Sequence, residues 1–287
     1  MSRGLGDVYK RQEKVLEYVN NSFESAEEQA AFDVYDANNI NPLYGFFVAR
    51  AGLGASESMR SKLAEYNDPR LSRAFITKQG TSGKEQAPGT ADNAVYAPNG
   101  TPEQGTSKYG TSLFMYSISA PTLLLSYHEL KFLEAEALCR LERDAKSALK
   151  DAVVAGLLNA ENSFTISRKE LGKTLINAAS SITEAEAESY FDNTIEAKYT
   201  AEPLKTTMTQ KYFALWGASG EATESYNDVR RMKGLGENFI ELKNPNSFPL
   251  RCPYGNSDTT TNAEVKAAYG NGQYVYSENV WWAGGSR

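Results

Sequence analysis

Two clusters of charged side chains are the first places in this chain where chemistry could reside. Glu224, Asn227, Asp228, Arg230 and Arg231 fall within one run of eight residues, and Glu134 and Glu136 interrupt an otherwise apolar run. Carboxylates beside guanidinium groups can serve acid–base chemistry. At helical spacing, however, Asp228 can meet Arg231, and Glu224 can meet Arg231 or Asp228. The set Glu224, Asp228 and Arg231 therefore reads as a charge-assisted structural network. Glycoside hydrolysis needs two carboxylates facing each other across a sugar. The 36 acidic residues offer many pairs and single out none. The one histidine, His128, lies among Leu125, Phe132 and Leu133 and reads as a packed or edge residue. Cys139 sits in an apolar helical pattern and reads as a small buried hydrophobe, whereas Cys252 lies in an irregular segment. No Gly-rich phosphate loop and no metal-ligand spacing is present, so the sequence nominates no catalytic residue, no metal site and no cofactor.

The elements that must hold these residues are mostly helices. The chain has 287 residues, 41% hydrophobic and 23% charged, which suits a globular protein with a real core. A net charge of −6 without a basic run argues against a nucleic-acid partner. No apolar run approaches the roughly 20 residues that cross a bilayer as a helix. Helical spacing predicts elements over Glu13–Asn21, Ser25–Val34, Ser56–Tyr66, Pro121–Leu141, Ala145–Leu158, Leu171–Ala179, Ala185–Lys198, Thr206–Trp216 and Glu221–Lys233. Ser25-x-x-Glu28, Ser167-x-x-Glu170 and Thr183-x-x-Glu186 are capping-box patterns, and Gly234 is placed as a helix stop. Leu43–Val48 reads as extended or irregular. Gln79–Tyr109 is broken by glycines and prolines, and is either a disordered linker or a long ordered loop over a binding face. Successive helices with short links argue for antiparallel pairs. The fold expected is mainly α, with a long irregular loop region and an irregular C-terminal tail.

Four stretches carry a family resemblance. They are Asn67-Asp-Pro-Arg70; Pro121 through Ser126-Tyr-His-Glu-Leu-Lys-Phe-Leu-Glu-Ala-Glu-Ala137; Gln210–Trp216 followed by Glu224–Arg231; and Phe248–Arg251, Pro253-Tyr254, Asn262 and Trp281-Trp282. In that order they resemble the SusD/RagB family, the glycan-binding surface lipoproteins of Bacteroidetes nutrient uptake. The Arg-Leu-Pro-Tyr-Pro element of that family is present only as Leu250-Arg-Cys-Pro-Tyr254. The resemblance implies TPR-like helix pairs and no catalysis. It also implies a glycan ligand (starch, another glycan or even peptide), an outer-membrane location, and a SusC-like TonB-dependent transporter as partner. The alternative from the helical pattern is an intracellular TPR-like scaffold for a protein partner. A glycan hydrolase ranks a distant third.

Met1–Gln12 resembles a translated sequencing adapter and is set aside as an assembly artefact, so the chain is expected to be a C-terminal fragment lacking signal peptide and anchor. The domain expected is 13–287, with a loop-rich face over about 38–119, a helical core over about 120–234 and a tail over 235–287. Sugar binding needs aromatic faces beside planar hydrogen-bonding groups, and Tyr44–Tyr116 supplies both. Tyr44, Tyr96 and Tyr109 are the stacking candidates, and Arg73 and Asn93 their polar partners.

Overall fold

A computed structural model describes residues 5–50, 53–77, 84–85, 96–100, 108–217, 220–243 and 247–285. Eleven α-helices are described: α1 (Leu5–Val19), α2 (Pro42–Arg50), α3 (Glu57–Glu65), α4 (Tyr127–Arg140), α5 (Lys146–Leu171), α6 (Glu184–Tyr190), α7 (Glu196–Ala201), α8 (Pro203–Ala214), α9 (Ala222–Gly234), α10 (Asn256–Thr261) and α11 (Ala263–Tyr269). Among the described residues the short strands pair in twos. β1 (Ala30–Phe32) pairs antiparallel with β7 (Thr122–Leu125), and β2 (Ala55–Ser56) parallel with β5 (Tyr96–Ala97). β3 (Phe75–Ile76) pairs antiparallel with β6 (Thr111–Ser112), and β4 (Lys84–Glu85) parallel with β8 (Leu175–Ile176). The expected mainly α fold holds. The chain divides into two units, Met1–Leu242 and Lys243–Arg287.

In the first unit α4 packs on α1, α5 and α8, and α5 also packs on α6 and α8. Leu63, Phe75, Phe132, Leu149, Leu157, Phe164, Phe191 and Phe213 are buried in one apolar cluster. Truncating one of these phenylalanines to alanine costs about 3–5 kcal/mol, because the cavity left behind does not close. Several boundaries follow from caps. Ser56 accepts from Met59 N–H to open α3, and Thr183 accepts from Glu186 N–H to open α6, both as expected. A π-turn over Phe191–Ile195 then joins α6 to α7.

Other expectations are corrected. Leu43–Val48 is helical, not extended: Asn41 accepts from Leu43 N–H at 2.8 Å, Pro42 occupies the first turn, and Phe47 packs edge-on against Tyr116 with centroids 5.1 Å apart. The expected helix over Ser25–Val34 is a turn followed by β1. Glu28 accepts from the Glu24 N–H at 2.9 Å, and residues 30–32 gain strand partners on β7. Pro121 does not start a helix, since Thr122–Leu125 is that partner strand; α4 opens at Ser126, which accepts from Glu129 N–H at 3.0 Å.

Ser167 does not cap a new helix either. Its hydroxyl bonds the Ser163 carbonyl at 2.9 Å, one turn back, and α5 runs through it to Leu171. Leu171–Ala179, expected as a helix, instead holds a 3-10 turn and β8. Gly234 lies inside α9, and the stop belongs to Gly236. With φ at +77° it lets Glu237 N–H reach the Met232 carbonyl at 2.9 Å. Helix α1 runs unbroken past residue 12, so its backbone shows no boundary there.

The second unit, expected to be irregular, contains two short helices. Asn262 caps α11 by accepting from Glu264 N–H at 3.0 Å, and Tyr254 stacks on Tyr269 with centroids 4.3 Å apart.

Candidate functional site

The residues that looked most chemical in sequence assemble into a buried ionic layer joining α4, α8, α9 and the turn before β3. Asp68 and Arg70 form an ion pair at 2.6 Å with both side chains almost wholly excluded from solvent. Arg70 also donates to the Phe213 carbonyl on α8 at 2.8 Å, and Tyr190 donates to Asp68 at 3.3 Å. Glu136 is the inward-facing acid of α4. It accepts from Arg140 one turn on at 2.6 Å and from Arg231 of α9 at 2.8 Å. The two guanidinium groups hold its carboxyl below the usual range against the opposing effect of burial. Glu134 instead meets Lys131 at 2.6 Å near the surface.

Asp228 links the layer together, 2.8 Å from Lys211 and 2.7 Å from Arg231. Glu224 is not bonded to Arg231 or Asp228, contrary to expectation. It accepts from Asn227 at 3.2 Å, three residues on, since Arg231 is two turns away and Asp228, one turn on, carries the same charge. Cys139 is half-buried, its thiol 3.6 Å from the Thr207 hydroxyl; burial raises its pKa.

At one end of this layer three titratable groups lack such complete pairing. Burial and a hydrogen bond with Glu221 push the Glu129 carboxyl up to about 8. His128 is 1% exposed, and burial, with Arg70 and Lys211 nearby, pushes it down to about 3. It is therefore neutral near physiological pH. Neither ring nitrogen has a hydrogen-bond partner among the described residues, and Nε2 stands 3.8 Å from a Glu221 oxygen. The other Glu221 oxygen accepts from the Ser126 N–H. No group of three or more His, Cys, Asp or Glu among the described residues converges on a metal position.

His128 also lines an open groove of about 650 Å³ in the first unit. This size suits a small-molecule or oligomer site. One wall is a stripe of α5 through Asp151, Ala155, Asn159 and Asn162, spaced so that all share a face. The second wall is Glu184 and Glu188, one turn apart on α6. The third is the turn at 24–29 with Tyr127. That turn is fixed in place because Gln29 accepts from Tyr127 N–H at 3.2 Å and β1 pairs with β7 directly after it. The groove thus offers amide and carboxylate groups around one tyrosine.

The contact residues expected from sequence lie elsewhere. Tyr96, 2% exposed, packs edge-on against Phe75 at 5.1 Å, and Tyr109 is 8% exposed, so neither offers a ring face to a ligand. Arg73 is 9% exposed and committed to the Ser180 carbonyl at 2.8 Å and Glu186 at 2.9 Å. These three are corrected from ligand contacts to packing and cross-linking residues. Tyr44 is half-buried on α2 and donates to Glu170 at 3.2 Å, about 12 Å along α5 from Asn162 at the usual helical rise. Asn93 lies outside the described residues.

Sequence reasoning passed over Tyr127 as a groove residue, and Asn159, Asn162, Glu184 and Glu188 altogether; His128 is packed, as expected. The signal of the last four was polar residues at helical spacing on α5 and α6, which any solvated helix face also shows.

The model of SusD-like proteins described as starch-binding and associating with the outer membrane matches residues 5–254. A SusD/RagB protein from Bacteroides thetaiotaomicron is 65% identical with a TM-score of 0.88, covering 97% of this chain and 60% of its own. Two SusD homologues from Bacteroides fragilis share the fold. One has 17% identity and a TM-score of 0.57, covering 94% of this chain and 63% of its own; the other has 16% and 0.58, covering 91% and 58%. The chain therefore spans about six-tenths of the length of these relatives. No curated protein matches it.

Proposed function

We infer a glycan-binding role from one premise: this chain belongs to the SusD-like family, matched over residues 5–254. The protein binds oligosaccharide at the outer membrane without turning it over and delivers it to a SusC-like TonB-dependent transporter. A surface lipoprotein anchor belongs to the same reading. The groove supports the binding step. Its walls present amides and carboxylates, which exchange hydrogen bonds with sugar hydroxyls, and Tyr127 lies among them. A non-catalytic role is supported by the ionic layer, where the acids closest to bases are held in pairs that join helices.

Affinity electrophoresis through gels carrying starch and other polysaccharides, backed by calorimetry with their oligosaccharides, tests the reading. Retardation by at least one polysaccharide without release of product is expected. No retardation and no heat with any of them would remove the glycan role. Co-purification with a SusC-like barrel from an outer-membrane extract tests the partner.

A further inference from the structure

The two ends of α9 are held by different chemistry. Met232 is the one buried side chain of the helix, packed near its far end with Met208 and Ile240. In that same half Asp228 pairs with Lys211 and Arg231 with Glu136. The near end depends on Glu221, the residue just before the helix, which is 2% exposed. Gly220 lies so close to the Leu123 carbonyl of β7 that an added Cβ would fall 2.1 Å from it, and Glu221 reaches in over the start of α4. One Glu221 oxygen accepts from the Ser126 N–H there, and the carboxyl group shares a hydrogen bond with Glu129. The side chains that follow, Ala222 to Asn227, are exposed or half-buried.

A hydrogen bond between two carboxyl groups needs a proton on one of them, because an ionised carboxylate only accepts. Among the described residues, the cations nearby are already committed. Lys211 of α8 stands 3.9 Å from Glu129 but is held by Asp228 of α9 at 2.8 Å. Arg70, in the turn before β3, is bonded to Asp68 and to the Phe213 carbonyl. His128 of α4, 3.8 Å from Glu221, is neutral near physiological pH, and Glu224 of α9 adds negative charge. Two adjacent buried carboxylates without a cation of their own repel each other and lack water, so one of them must leave. Glu129 lies within α4 and is fixed. Glu221 stands at the end of a segment that buries no other side chain for two turns.

We propose that the proton shared by Glu129 and Glu221 is a latch closing the first two turns of α9 onto α4, and that its loss releases those turns while Met232, Asp228 and Arg231 keep the rest of the helix in place. The direction of the effect follows from the closed form keeping a proton that the released form gives up. Glu129 is raised from 4.5 to about 8 in the closed form, so the latch is fully effective below the first value, weakens as pH rises between the two, and changes no further above the second.

Residue-resolved hydrogen exchange on the whole chain, with each rate divided by its intrinsic rate at the same pH, tests it. The amides of Glu224, Tyr226 and Asn227 should be far less protected than those of Val153 and Leu157 in α5, as local opening requires. Between pH 6.5 and 8, where His128 does not titrate, their protection should fall by about tenfold per pH unit, the slope of one proton. Two variants keep a hydrogen bond between the side chains without the shared proton, since an amide donates at any pH. Glu129→Gln and, separately, Glu221→Gln should therefore each abolish the slope at these amides. Protection at α9 that is flat with pH, that equals the protection of α5, or that keeps its slope in either folded variant would overturn the latch.

Discussion

The ionic layer and the groove draw on the same residue types, yet they arrange them oppositely. Asp68 has Arg70 two residues on at 2.6 Å, while Glu136 and Asp228 each have a basic partner from another helix within 2.9 Å, and the pairs are largely out of water. Around the groove, Glu184 and Glu188 face open space. A buried charge must be compensated by the protein itself, whereas a hydrated one waits for whatever binds. The family-like stretches of this chain therefore serve its architecture. Asn67–Arg70 reaches Phe213 in the Gln210–Trp216 stretch, and Glu136 in the α4 stretch reaches Arg231 in the α9 stretch.

The sharpest way to break that contrast is to remove a buried partner. Arg70→Ala strands Asp68 and should cost about 3–5 kcal/mol or prevent folding, as read by denaturant titration. Glu184→Gln should stay within about 0.5 kcal/mol in the same assay. Glu136→Ala removes the bonds to Arg140 and Arg231 and should cost about 2 kcal/mol, less than Arg70→Ala because Arg231 is 40% exposed and can rehydrate.

Gly217→Ala, which touches no charge, is expected to cost about 1–2 kcal/mol. Its φ of +77° disfavours a side chain, and an added Cβ would lie 2.4 Å from the Phe114 ring. A loss as large as that for Arg70→Ala would mean that apolar packing near Trp216, rather than the ionic layer, dominates this region.

A pH dependence is expected from the groups at the end of the layer. Glu129 is raised from 4.5 to about 8, so between those values the unfolded chain releases its proton first and stability falls as pH rises. His128 is lowered from 6.5 to about 3, so between those values the unfolded chain takes up a proton first and stability falls as pH drops. From these two groups a plateau is expected between about 4.5 and 6.5, where the slopes oppose, with a decline from 6.5 toward 8. Melting temperatures across this range should show it, and Glu129→Gln should flatten the decline above 6.5. An unchanged decline in that variant would assign it to other groups.

Local signals were legible where one side chain decides the outcome. Ser56 and Thr183 cap their helices because each hydroxyl needs only the amide three residues ahead. The pairing of Asp228 with Arg231 followed from helical spacing. Signals of the same local form failed at Ser25, Ser167 and Pro121, where a distant segment offered something better. Residues 30–32 and 122–125 found each other as strands, and the Ser167 hydroxyl, bonded to Ser163, also shares a hydrogen bond with Ser117 at 2.8 Å. The aromatic candidates failed for a related reason: a tyrosine face serves a core as well as a sugar, and Tyr96 was taken by Phe75.

By itself, then, the sequence determined the helical class, the family and the presence of paired charges, because periodicity and motif order are properties of the chain. Tertiary structure alone decided which charges are paired and which are left facing a concavity. Whether Glu136 and Glu188 differ is set by what stands opposite them, Arg231 in one case and open groove in the other. Neither neighbour is local in sequence, and the strength of each interaction depends on how much water packing leaves between them.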